Sequence, residues 1–384
     1  AWNWQHPRWP EFGYQQAELE VYEREFLKTS GILIGAFKHI HDDDKNTLII
    51  DIISEEAIQT SEIEGEHLNR DSVQSSLKRH FGLDTENRRV PPAEQGISEM
   101  MIDVYETFAD ALTHDTIYRW HSLLTKGRRD LIDIGRYRTF SEPMQVVSGP
   151  LHRPIVHFEA PPSQQVMQEM EGFMQWFQDT APDSRNPLPA LTRAGIAHLY
   201  FVCIHPLEDG NGRIGRAIAE KALAQSFGQP TLIALSHTIQ KHKKAYYDAL
   251  ERNNKDIEIT DWLVYFSKTI LQAQLRTQSM IDFVIEKTKL YDKARGILND
   301  RQEKLLARMF REGPEGFIGG LSVKNYLSIT GASRATATRD LQDFVEKKYF
   351  NAHRWIEKHT LSFKYCSKVD CALQKLNICY NGQV

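Results

Sequence analysis

One imidazole, two carboxylates, a Gly-Asn-Gly turn and two guanidinium groups lie within twelve consecutive residues, HPLEDGNGRIGR at 205–216. His205 can serve as a base and Asp209 as a ligand for a hard cation. Gly210 and Gly212 lack the side chains that would hold a phosphate away from the backbone amides. Arg213 and Arg216, three apart, can grip further phosphate oxygens from one face of a helix's first turn. Chemistry of this kind needs elements that hold the run in place. Upstream, 191–204 (LTRAGIAHLYFVCI) is mostly apolar without strand alternation and predicts a buried helix. Downstream, Ile214, Ile218 and Ala222 recur at helical spacing, so a second helix is expected to begin near Arg213 or Ile214. The turn then sits at a helix N-terminus, where unpaired N–H groups and the helix dipole favour an anion. A Walker A loop is excluded because no Gly-Lys-Ser/Thr follows the spacer, and a dinucleotide fingerprint because no βαβ unit surrounds the run. What remains is a polyphosphate cradle beside a base.

The run resembles the active-site motif of the Fic family, His-x-Phe-x-Asp/Glu-Gly-Asn-Gly-Arg-x-x-Arg, with Leu207 where that family usually has Phe. The substitution is expected to loosen the loop's anchor in the core without touching the chemistry. The resemblance implies a protein adenylyltransferase that moves AMP from ATP to a hydroxyl side chain of a target protein. By position, His205 would take the proton from that hydroxyl and Asp209 would hold Mg²⁺. Asn211 would stabilise the α-phosphate with the backbone of Gly210 and Gly212, and Arg213 and Arg216 would bind the outer phosphates.

A second run, Thr60-Ser61-Glu62-Ile63-Glu64-Gly65, is similar to the inhibitory pattern Ser/Thr-x-x-x-Glu-Gly/Asn of the same family. Apolar Ile50, Ile53, Ala57 and Ile58 predict an amphipathic helix over 49–63, with Gly65 as its stop. The resemblance implies that Glu64 pairs with Arg216 and occupies the place of the γ-phosphate, since carboxylate and phosphate compete for one guanidinium. In some family members this glutamate also supports removal of AMP.

The 384 residues suffice for two or three domains, and a formal net charge of −4 gives no overall pull toward nucleic acid or membrane. No apolar run approaches the ~20 residues of a membrane span, and the first residues lack a basic-then-apolar signal. Cys203 falls in the apolar helix and reads as an inert core thiol. Cys366, Cys371 and Cys379 crowd the end of the chain near His353 and His359 but form no Cys-x-x-Cys pair, which disfavours zinc. A reducing cytoplasm is the simplest compartment.

Three segments are expected within a mainly α fold. Residues 1–95 open on an aromatic cluster (Trp2, Trp4, Trp9, Phe12, Tyr14) that should pin the terminus to the core, and the opening resembles the N-terminal extension of some bacterial Fic proteins. The charged stretch 86–95 makes a connector. Residues 96–285 hold the motif in an all-helical Fic core. Its one strand signal is a β-hairpin in 143–158, where Gln145-Val146-Val147 and Ile155-Val156-His157-Phe158 flank Ser148-Gly149-Pro150. By resemblance, that hairpin is the flap that docks the target as an added strand, with self-modification and a homodimer also compatible with the family. Residues 290–384 carry helical stripes at Leu305, Leu306, Met309, Phe310 and at Val323, Tyr326, Leu327, then SRATATRDL with a buried face at Leu341, Phe344 and Val345. The spacing resembles a winged helix-turn-helix. Ser333 would cap the recognition helix, and Arg334, Thr336, Thr338 and Arg339 would meet DNA. From Lys324 to Lys368, including Lys347, Lys348, Arg354, Lys358 and Lys364, nine basic residues face four acidic ones.

Two function classes follow: an ATP-dependent transferase restrained by Glu64, and a DNA-binding transcriptional regulator whose Fic domain senses nucleotide. His205 and Asp209 favour the first, since a sensor needs phosphate contacts but no base. Another nucleotide, or phosphocholine, on the same scaffold is a third possibility set by pocket walls.

Overall fold

The structure is a computed structural model and describes residues 1–83, 89–150, 153–294, 296–311, 321–346 and 360–361. Among these the chain is mainly helical. In order run α1 (Gln16–Lys38), α2 (Asp42–Ile63), α3 (Arg70–His80), α4 (Pro92–Glu106) and α5 (His114–Leu124). Strands β1 (Gln145–Ser148) and β2 (Ile155–Glu159) come next, followed by α6 (Ser163–Asp179), α7 (Ala190–Ile204) and α8 (Asn211–Phe227). Then come α9 (Leu235–Lys241), α10 (Lys243–Asn253) and α11 (Thr260–Ala294). The remainder is α12 (Asp300–Arg311), β3 (Leu321–Ser322), α13 (Val323–Thr330), α14 (Arg334–Glu346) and β4 (Thr360–Leu361). Two compact units emerge, Ala1–Ile34 with Lys45–Thr277, and Gly35–Asp44 with Gln278–Val384. The residues before 95 other than 35–44 thus share a unit with those that follow, whereas composition suggested a boundary near 95 and another near 285–290.

The first unit is built around α7 and α8, which pack on each other. Every residue of α7 but Val202 is buried, because its apolar side chains point in all directions. Contact is close at Gly215, where a Cβ would lie 3.0 Å from Val202 and 3.1 Å from the His198 ring. α8 begins at Asn211, two or three residues earlier than apolar spacing predicts, since Gly210 takes a left-handed conformation (φ 86°) and turns the chain into the helix.

α2 departs from expectation more sharply. It starts at Asp42, and between Leu48 and Ile63 it is buried on nearly every side, including Glu55 and Glu56, rather than along one amphipathic stripe. Burial alone would raise the Glu55 carboxyl, but bonds from His237 and Arg276 hold it down to about 2. Glu56 bonds to the backbone and hydroxyl of Ser236 and pairs with Glu220. Burial raises both carboxyls of that pair. Only a helix with pre-arranged partners can carry such groups inside.

The amino-terminal aromatics pin the chain as their composition suggests. The Trp4 indole N–H donates to the Glu159 carbonyl (2.7 Å), and that of Trp9 donates to Glu169 (2.8 Å). Trp2 meets Phe158 edge-on, while Trp9 and Phe12 both meet Tyr200. Two of these contacts brace β2. The hairpin itself forms antiparallel as expected, pairing Gln145 with Glu159 and Ser148 with Ile155, with a register shift between Val146 and Val147. No described helix is long and apolar enough to cross a membrane.

In the second unit Leu305, Leu306, Met309, Tyr326, Ala337, Leu341 and Phe344 form one core, drawn from α12, α13 and α14 at the positions periodicity picks out. Ser322 caps α13 and Gly331 (φ 68°) ends it. β3 and β4 pair antiparallel over two residues. The side chain of Val345, residues Lys347, Lys348, Arg354, Lys358, Lys364 and Lys368, the three late cysteines, His353 and His359 lie outside the described residues.

Helix α5 approaches α4 at Gly96, where a Cβ would collide with the carbonyl of Leu123. Alanine's better helix propensity offers at most about 1 kcal/mol, while overpacking against backbone costs roughly 1–3 kcal/mol. Gly96→Ala should therefore lower the urea midpoint; an unchanged or raised midpoint would show that this helix crossing is not fixed there.

Candidate active site

The loop between α7 and α8 places His205, the candidate base. His205 is the one non-glycine residue in the left-handed region (φ 50°) among the described residues, and it closes α7 through its N–H to the Phe201 carbonyl (3.0 Å). Its Nδ1 faces the Val202 carbonyl at 3.2 Å. A carbonyl only accepts, so Nδ1 carries the hydrogen and Nε2 keeps a lone pair. Burial pushes the imidazole down to about 4, against an opposing pull from the Val202 carbonyl, so the ring is neutral at pH 7.

Three groups hold the loop in shape. Leu207 is fully buried, as its place in the run predicts. The Asn211 amide accepts from the Leu207 N–H (3.0 Å) and donates to the Leu207 carbonyl (2.9 Å). Asn211 was expected to face a phosphate. Here its carbonyl and one N–H are spent on the loop, which makes it chiefly a clasp. Arg138, not singled out in the sequence for this role, donates from Nε to the His205 carbonyl (2.8 Å) and from Nη2 to Pro161 (2.5 Å). Two further residues lie beside the loop. Glu208 accepts from the N–H groups of Ile132 and Asp133. His121 is buried, accepts from the Gly135 N–H at 3.1 Å, and is held below its ordinary pKa by that burial. No periodicity signal marks either contact.

Asp209 accepts from the Gly210 N–H (2.7 Å) and pairs with Arg128 (2.8 Å) and Arg213 (3.3 Å). The Arg128 partnership was not anticipated. Among the described residues no group of three or more His, Cys, Asp or Glu side chains gathers as a metal site. Arg213 is nearly buried and pairs with Glu66 at 2.6 Å.

Arg216 is 1 % exposed. Its Nε donates to the Thr60 hydroxyl (2.8 Å), and Nη2 donates to the Thr60 carbonyl (2.9 Å) and to Glu64 (2.8 Å). Burial works against its charge, but Glu64 together with Tyr246 and Tyr247 more than offsets burial, and the guanidinium stays protonated. Thr60 in the last turn of α2 and Glu64 just past its end stand four residues apart and so address the same group. The helix stops there because Gly65 (φ 85°) turns left-handed, with Glu66 N–H bonded to Ser61 and Gly65 N–H to Glu62, a Schellman end. Glu64 reaches over the start of α8 so closely that a Cβ on Gly212 would overlap its carboxylate. Nη1 of Arg216 and Nε of Arg213 are buried without a hydrogen-bond partner among the described residues, as a site awaiting an anion would leave them.

His205, Glu64 and Gly212 line one cavity of about 580 Å³, with Tyr247 and the hairpin residues Val147 and His157 among its other walls. That volume suits a nucleotide-sized ligand. Cys203, also in the cavity wall, is buried, bonded by Asn3, and pushed up to about 12 by burial, an unreactive thiol. In the second unit Arg334 and Arg339 are exposed. The Thr336 hydroxyl meets Ser333 and that of Thr338 donates to the Arg334 carbonyl, so both are occupied locally.

Residues 111–223 match the model of the Fic/DOC family, and residues 2–83 match a domain of unknown function, DUF4172. Protein adenylyltransferase fic-1 of Caenorhabditis elegans is 27% identical over 145 residues, 38% of this chain and 25% of that protein. Protein adenylyltransferase fic-1 of Caenorhabditis briggsae is 22% identical over 241 residues, 62% of this chain and 44% of that protein. The chain thus spans less than half the length of these curated relatives. A Fic family protein from Desulfovibrio desulfuricans G20, solved by crystallography, shares the fold with a TM-score of 0.50 at 21% identity, over 87% of this chain and 93% of that one.

With its folded value near 4 and its ordinary value near 6.5, His205 lacks a proton that the unfolded chain binds between those pH values. Its contribution to stability is complete above pH 6.5 and declines as pH falls toward 4. In an NMR titration its ring signals should stay those of the neutral Nδ1–H form down to about pH 5; a midpoint near 6.5 would contradict this burial.

Proposed function

We propose, from the match of residues 111–223 to the Fic/DOC family, that the chain is a protein adenylyltransferase held in check by Glu64. The observation that carries this reading is the meeting, in one cavity, of a neutral base at His205 with an anion cradle that Glu64 already occupies. In the proposed reaction, ATP lays its phosphates along the N-terminus of α8, where Gly212 lets them approach the backbone. Arg216 and Arg213 take the outer phosphates with the donors they now leave unpaired. The target hydroxyl gives its proton to Nε2 of His205 as its oxygen bonds to the α-phosphorus and pyrophosphate departs. Asn211 keeps the loop shaped, and its remaining N–H is directed to the α-phosphate.

Asp209 fits the Mg²⁺ that such chemistry uses. It offers hard oxygens at 35% exposure beside the cradle, and one carboxylate suffices where phosphates and water complete the shell. The ion would neutralise phosphate charge. Arg128, which now holds Asp209, retains Asp130 as an alternative partner at 2.5–2.7 Å. The target would present a Ser, Thr or Tyr hydroxyl by pairing its backbone with the hairpin, whose Val147 and Ile155 are exposed by half or more. The proposal includes AMP removal, with Glu64 as the carboxylate that activates water.

The test is transfer of α-phosphate label from Mg-ATP to the proteins of a bacterial extract, resolved from the chain itself. Glu64→Gly should raise the label at least about tenfold, since the competing carboxylate is gone. Adding His205→Ala should cut it by roughly 100-fold or more while ATP still binds. Undiminished label in the double variant would remove His205 as the base, and no label with ATP bound would favour a nucleotide sensor.

A second reading assigns DNA contact to α14. Arg334 and Arg339 are exposed and have no ion-pair partner among the described residues, which favours it, whereas Thr336 and Thr338 have spent their hydroxyls. Phosphate contact is therefore the expected mode, and reversing both arginine charges should weaken DNA binding and flatten its salt dependence. Equal affinity in wild type and variant would exclude the helix.

A further inference from the structure

Asp209, the carboxylate that fits the cation of the proposed reaction, already has two cationic partners. Arg213 reaches it from the first turn of α8 at 3.3 Å, and Arg128 reaches it at 2.8 Å from the loop that follows α5. The two differ in what else they hold. Arg213 is nearly buried and also bonds Glu66, as a fixed wall of the cradle. Arg128 is gripped along its other edge by Asp130, from Nε at 2.7 Å and from Nη2 at 2.5 Å, and gives only Nη1 to Asp209. The bonds from Asp130 are the largest influence holding the Arg128 guanidinium above its ordinary pKa, and Arg128 in turn draws the Asp130 carboxyl down to about 2. Arg128 can therefore release Asp209 and stay paired. Its loop is fastened beside the carboxylate it holds. Gly127 (φ 88°) turns the chain just past α5, and the Arg128 N–H bonds to the Thr125 carbonyl at 2.9 Å. Glu208, next to Asp209, accepts from the N–H groups of Ile132 and Asp133 in the same loop.

We propose that Arg128 is a stand-in cation, a positioning residue that keeps Asp209 paired and yields it to the divalent ion that arrives with the phosphates. The inference rests on the adenylyltransferase reading above and adds a second restraint, opposite in sign to Glu64. Glu64 holds the arginine that a phosphate needs, and Arg128 holds the carboxylate that the metal needs. A guanidinium and a hard divalent cation both seek carboxylate oxygens, so they compete for Asp209. Arg128 and Asp209 are 40 % and 35 % exposed. Ion pairs at that exposure shift an equilibrium by roughly two- to fivefold. A restraint of that size yields to ligand loading without any unfolding.

The probe is Mn²⁺, with the free ion read by electron paramagnetic resonance, titrated into Glu64→Gly carrying the α,β-methylene analogue of ATP. In that background Arg128→Gln should bind Mn²⁺ roughly fivefold more tightly at low salt. The gap should close at about 0.5 M KCl, because salt screens an exposed pair. Asp130→Asn should act in the opposite sense and weaken Mn²⁺ about twofold, since Arg128 then has Asp209 alone. The double variant should match Arg128→Gln. A role confined to loop structure would weaken Mn²⁺ in both single variants and overturn the inference. Weaker Mn²⁺ binding in Arg128→Gln alone would make Arg128 a phosphate contact and overturn it as well. Label transferred to extract proteins, with Mn²⁺ affinity unchanged in Arg128→Gln, would overturn this inference and leave the adenylyltransferase reading standing. Mn²⁺ affinity indifferent to Asp209→Asn, with no label on any protein, would overturn both.

Discussion

A guanidinium buried to 1 % exposure cannot stand without partners, and Arg216 draws them from a helix more than 150 residues away in sequence. Desolvating such a charge costs several kcal/mol unless good geometry offsets it. Thr60 supplies a hydroxyl and a carbonyl, and Glu64 supplies the opposite charge. Both requirements constrain α2. It must lie alongside the first turn of α8, and it must end where Gly65 lets the last carboxylate hang over Gly212. The burial of Glu55 and Glu56 follows from that location, because a helix driven so far inside brings its acidic face with it and needs His237, Arg276, Ser236 and Glu220 to satisfy it.

The base is held by a separate set of contacts. His205 takes its left-handed conformation from the end of α7, its tautomer from Val202, and its backbone position from Arg138. The Asn211 clasp on Leu207 fixes the loop between base and cradle. None of these contacts passes through Glu64. Removing the glutamate therefore alters what the cradle holds without dismantling what holds the base, which makes an inhibitory carboxylate compatible with an otherwise assembled site.

Much of this was legible in the sequence, for identifiable reasons. Residues 205–216 lie together locally, so spacing alone picked out the candidate cradle, and α7 and the hairpin follow from uninterrupted apolarity and alternation around Ser-Gly-Pro. Glu64 was legible through a resemblance, because nothing in its neighbourhood says which arginine it meets. What stayed hidden is long-range. Arg128 at Asp209, Arg138 at the His205 carbonyl and His157 at Glu251 are contacts across 67 to 94 residues, and periodicity carries no information about them. The misreading of α2 has the same origin: an acidic face looks solvent-facing until its partners are placed. The start of α8 slipped because Asn211 and Gly212 are poor helix formers by propensity, and the turn geometry at Gly210 overrides that preference.

Charge around Arg216 links these parts. Besides Glu64, the carboxyls of Glu56 and Glu220 interact with Arg216, and burial raises both. Glu64 is the carboxylate that bonds the guanidinium directly. A phosphate that displaces Glu64 has to supply at least the charge it removes, together with an acceptor for the unpaired Nη1. A polyphosphate does both, whereas a neutral ligand of similar shape would leave a buried cation uncompensated. On the proposed reading, selectivity for an anion at this position would follow from the folding requirement of one arginine, before any contact with base or sugar.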